Sequence, residues 1–104
     1  MKILLISPLG FPINKESKYA GIERLVWNYA SFLCKEHDVT VMGHAQSIFP
    51  SEVKVLPYDV QPGEDIYLSA ELKHYQMYQA RLRSFDVIHD FSHAHLASRF
   101  NVNL

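Results

Sequence analysis

The chain has 104 residues, 48% of them hydrophobic, with ten basic and eleven acidic side chains giving a net charge of −1. The two signs are interspersed, so nothing marks it for nucleic acid or an anionic membrane, and one cysteine, Cys34, excludes an intrachain disulfide or a cysteine-built zinc site. No apolar run approaches the roughly 18 residues of a transmembrane segment, and Ile3–Ile6 is too short for a secretory signal, so a soluble, cytoplasmic protein is expected.

Lys2 to Ser7 (KILLIS) is apolar without alternation and stops at Pro8, which predicts a strand covered on both faces. Pro8 to Ala20 is a long loop punctuated by Pro8, Gly10, Pro12 and Asn14, of a length more often functional than decorative. Gly21 opens a helical pattern in which Ile22, Leu25, Val26, Tyr29, Phe32 and Leu33 recur at spacings of three and four, the stripe expected to face a core. Asp38 to Gly43 (DVTVMG) predicts a second strand, completing a βαβ unit with a right-handed crossover.

Ser51 to Leu56 alternates between Pro50 and Pro57 and predicts a short third strand. From Glu64 the helical period returns, with Leu68, Leu72, Tyr75 and Leu82 on one stripe and Tyr78 beside it. Phe85 to His89 predicts a fourth, buried strand, and Ala94 to Phe100 a short helix. This order predicts an α/β fold: a Rossmann-like parallel sheet with helices on both faces, truncated at about four strands, so that the fourth is left on an edge.

Chemistry is expected at two places. The loop leaving the first strand ends at Gly21, where unpaired helix N–H groups suit a phosphate and the missing side chain lets a ligand approach; a simple capping glycine fits equally well. Neither a dinucleotide fingerprint nor a P-loop is present. The second place is His89, Asp90, His93 and His95, at the end of the fourth strand. These residues suit a polar wall for sugar hydroxyls, with an imidazole able to exchange a proton near neutral pH. Their H-x3-H-x-H spacing is not a familiar zinc pattern, so no metal is expected, and histidines that merely cap the next helix are the alternative. Trp27 and the aromatics from Tyr75 to Tyr78 are read as packing, and Cys34 as inert.

Four segments carry a resemblance: MKILLISP at the start, YAGIERLV at Tyr19–Val26, HDVTV at His37–Val41 and FDVIHD at Phe85–Asp90. In order and spacing they resemble the start of a family 4 glycosyltransferase of the GT-B fold. Such enzymes set two Rossmann-like domains about a cleft, the first mainly for the acceptor and the second mainly for a nucleotide-sugar. They transfer the sugar with retention of configuration and usually without a required metal or other cofactor.

The resemblance implies that residues 1–104 form part of the acceptor-side domain. It puts Ala20, Gly21 and Ile22 at the turn that approaches the donor diphosphate, with Ala20 where a first glycine is usual. His89 matches the first histidine of a His-x-His pattern whose second position is Phe91 here. His93 is the candidate to take over that second, catalytic role, with His89, Asp90 and His95 as substrate-binding neighbours.

The expected partners are a nucleotide-sugar donor and an undefined acceptor in a longer parent, because the donor motif Glu-x7-Glu does not occur in the chain, which is expected to be inactive alone. Two other readings stay open: a stand-alone sugar- or nucleotide-binding or regulatory module, and a structural domain forming a homodimer through the exposed edge of the fourth strand.

Overall fold

A computed structural model describes residues 1–16 and 21–97. It contains β1 (Lys2–Ile6), α1 (Gly21–Leu33), β2 (Asp38–His44), β3 (Lys54–Tyr58), α2 (Ser69–Tyr78), a 3₁₀ segment (Gln79–Ser84) and β4 (Val87–Asp90). The four strands form one all-parallel sheet in the order β3-β2-β1-β4, the Rossmann-like α/β arrangement. Leu4 pairs with Thr40 on one side and with Ile88 on the other, so β1 is interior and its unbroken apolar run is explained.

Alternation along β1 feeds two cores. Ile3 and Leu5, with Val39 and Val41 of β2, pack beneath Val26 and Ala30 of α1. Leu4 and Ile6, with Met42 and Leu56, pack against Tyr75, Leu82, Leu96 and Ala97 on the opposite face. Leu4 and Leu5 are both fully buried, so truncating either to alanine would cost about 2–5 kcal/mol.

The helices are seated differently from the expected stripes. α1 buries Glu23, Val26 and Ala30, while Ile22, Leu25, Tyr29 and Phe32 stand at the surface, Phe32 71% exposed. The narrow line of small residues lets the helix approach the sheet, and the bulky ones flank it. α2 buries Ala70, Glu71, His74 and Tyr75 and leaves Leu72 exposed, as is Leu68 in the turn before it. His74 and Glu71 are tolerated inside because backbone groups of neighbouring segments pair with them.

The third strand begins later than its alternation predicts and runs through Pro57 rather than stopping there. It lies at a sheet edge, where a missing N–H is least costly. α2 covers two of its carbonyls: His74 Nε2 donates to Leu56 O at 2.8 Å and the Tyr78 hydroxyl to Pro57 O at 2.9 Å. The fourth strand spans Val87–Asp90 and forms the other edge, the expected position, but it is half-exposed rather than buried, because an edge strand has a neighbour on one side alone. Helix resumes at Leu96–Ala97; the remainder of the expected last helix lies outside the described residues. No helix among the described residues is long and apolar enough to cross a membrane.

Candidate functional site

Because the strands are parallel, the β1–α1 loop and the turn after β4 leave the sheet at the same rim, from neighbouring strands. The first part of the long loop is anchored. Leu9 and Ile13 are buried, Ser7 N–H donates to Met42 O at 2.9 Å, and Ile13 N–H donates to Ser47 Oγ at 2.9 Å. Ile48 N–H returns a bond to Ile13 O at 2.7 Å, tying this loop to the β2–β3 connection. Between them lies a cleft of about 500 Å³ bordered by Asn14, Lys15, Glu16, Trp27, Phe49 and Pro50. Trp27 packs against the α1-side core as expected, and its indole N–H donates to Ile48 O at 3.2 Å.

Gly21 and Ile22 begin α1 and are exposed, and a Cβ built at Gly21 would meet nothing within 4 Å among the described residues. Ala20 lies outside the described residues.

The sheet divides the histidine group. His89 lies on the α1 side, stacked on Phe91 with ring centroids 4.1 Å apart and tilted by 17°, and Tyr29 of α1 approaches both rings at about 6 Å. His93 lies on the α2 side. Its Nδ1 is 3.1 Å from Glu71 Oε2 and its ring meets Tyr67 edge-on at 4.8 Å. Asp90 Oδ1 accepts the Ser92 N–H at 2.9 Å, while its buried Oδ2 has no hydrogen-bond partner among the described residues. A pocket of about 10 Å³, water-sized, is bordered by Ser7, Glu71, His74, Asp90, Ser92 and Leu96. His95 donates its N–H to Ser92 Oγ at 3.2 Å and sits at φ 52°, a left-handed backbone that costs a non-glycine residue energy and is met disproportionately at functional turns.

Glu71 and His74 belong to this cluster and escape pattern reading, since polar residues in a helix read as its solvent face. Burial of His74, partly offset by its bond to Leu56 O, pushes its pKa down to about 4, so the ring is neutral at physiological pH. No group of three or more metal-ligating side chains occurs among the described residues. The arrangement offers a half-exposed imidazole braced by a buried carboxylate, suited to hydrogen-bonding a hydroxylated ligand.

No family model and no curated protein matches the chain.

Proposed function

We propose that the chain is the acceptor-side part of a retaining, GT-B glycosyltransferase of family 4, which moves a sugar from a nucleotide-sugar to an acceptor only when joined to its donor-binding half. The observation that carries the reading is the open start of α1. Gly21 is exposed, has no neighbour among the described residues where a side chain would stand, and lies on the rim from which the His89–His95 turn also leaves. A helix N-terminus so placed favours a diphosphate, and the cleft between the β1–α1 loop and the β2–β3 connection, beside Trp27, is large enough for part of an acceptor. The sequence resemblance supplies the reaction class.

The test is Gly21→Val in the longer polypeptide that carries both halves. A β-branched side chain there would hold the phosphates off the backbone, and a displacement of about 1 Å can cost about a hundredfold in turnover. The expected result is that loss with an unchanged fold; wild-type turnover would remove Gly21 from the site. On the same reading, the donor-binding half of that longer polypeptide carries a Glu-x7-Glu segment.

A second reading, self-association as a structural unit, is favoured by two features on one side: the edge position of β4 and the exposed apolar line Ile22, Leu25, Tyr29 and Phe32. Sedimentation at high concentration decides it, a clean monomer counting against it.

A further inference from the structure

The buried carboxylate of Glu71 determines what His93 can do. The Glu71 side chain is 4% exposed and meets two backbone N–H groups and one ring nitrogen from a single turn. The backbone N–H of Ala94 donates to Oε1 at 2.7 Å, the backbone N–H of His93 to Oε2 at 3.0 Å, and His93 Nδ1 lies 3.1 Å from the same Oε2. Both oxygens are already acceptors, so the ring nitrogen facing them has to be a donor.

We infer that Glu71 is a positioning residue, which fixes neutral His93 as its Nδ1–H tautomer and leaves Nε2 as a lone-pair acceptor at the surface. The partner of one ring nitrogen sets the state of the other, as with imidazoles oriented by carboxylates elsewhere. Two further features hold the ring in place: the Tyr67 ring stands edge-on to it, and its own backbone N–H is bound to the same carboxylate. The His93 side chain is 41% exposed, so a ligand can reach it. A lone-pair acceptor selects a donor, and in neutral form it refuses another acceptor such as a phosphate oxygen. Resting on the transferase reading, the ligand group it takes is a sugar hydroxyl.

The test uses the ¹⁵N-labelled chain itself, with long-range ¹H–¹⁵N correlation of the imidazoles at a pH where His93 is neutral. The expected result is a protonated Nδ1 and an unprotonated Nε2 in His93. In Glu71→Ala, Nε2–H, the form that predominates in free histidine, takes over. Nε2–H predominating in the wild type, or Nδ1–H persisting in the variant, overturns the inference; if the variant does not fold, the wild-type spectrum alone decides.

Glucose is the probe for the ligand class. It is expected to move the His93 Nε2 signal along a saturable course in the wild type and not in Glu71→Ala. No movement in the wild type, or equal movement in both, overturns the hydroxyl-acceptor half. These readouts need no sugar transfer: a longer polypeptide carrying both halves that transfers no sugar would remove the transferase reading and leave the tautomer result standing.

Discussion

Acidifying the chain should expose the cost of burying His74. The ring is 2% exposed, with a pKa of about 4 against an ordinary value of 6.5. The unfolded chain therefore takes up a proton on this residue across a window in which the folded chain refuses it. Stability rises with pH wherever the unfolded state binds more protons, so it falls as pH drops from about 6.5 towards 4. The gap of about 2.5 pH units corresponds to about 2 kcal/mol lost by pH 5 and about 3 kcal/mol by pH 4. Against a total of roughly 5–15 kcal/mol this is large, and at pH 5 it amounts to roughly 8–16 °C in melting temperature. Carboxylates titrate in the lower part of the window, so the informative quantity is the difference between wild type and His74→Gln. The amide of the variant can still donate to Leu56 O but has no proton to gain. Thermal melts of both proteins at pH 7.5, 6 and 5 should show the wild type falling more steeply. Parallel decline of the two curves would falsify the assignment of this acid lability to His74.

Other perturbations follow from the same contacts. Glu71→Ala strands the N–H groups of His93 and Ala94 and should cost about 2–4 kcal/mol, with faster hydrogen exchange at those two amides as the local signature. Gly21→Ala enters open space and should change stability by no more than about 0.5 kcal/mol in a denaturant titration. Tyr58 is pushed up to about 12, chiefly by burial and then by its 2.6 Å bond to Glu64. In a spectrophotometric titration one tyrosine should therefore ionise last, a step absent in Tyr58→Phe. Its stabilising share is complete below pH 10 and fades as pH approaches 12. Where copies associate through the α1 side, Phe32→Glu should weaken the association measured by sedimentation equilibrium.

The elements were largely legible in the sequence, and the reason is period. An unalternating run at Ile3–Ile6, a 3.6-residue rhythm after Gly21 and β-branched residues at Val39–Val41 each fit one local structure. The azimuth of the helices was not legible. On α1, Ile22, Leu25, Val26, Trp27, Tyr29, Ala30, Phe32 and Leu33 cover most of the circumference, so apolarity alone does not say which line meets the sheet. Close packing chose Val26 and Ala30, and Glu23 is carried inward on the same line. Pro57 shows the complementary failure: proline ends an interior strand but is accepted in β3 because that strand is an edge, a fact of topology rather than of local sequence.

The candidate site was legible by residue type but not by grouping. His89, His93 and His95 sit within seven residues of chain, and proximity in sequence suggested a single cluster. A strand turns successive side chains to opposite faces, and the turn beyond it carries the chain from one face to the other. His89 is thus committed to the aromatic stack with Phe91 and Tyr29, and His93 is captured on the far face by a carboxylate 22 residues earlier. Glu71 carries no motif; its meaning comes from where α2 delivers it. A carboxylate placed against backbone N–H groups and one ring nitrogen both braces the turn and sets the imidazole's tautomer. The two roles separate by experiment, because bracing appears in amide exchange and the tautomer in the ring ¹⁵N signals. The sequence-adjacent run of histidines is therefore divided between two faces, and on the α2 side Glu71 joins the two features there: it borders the small pocket shared with Asp90 and holds the His93 ring.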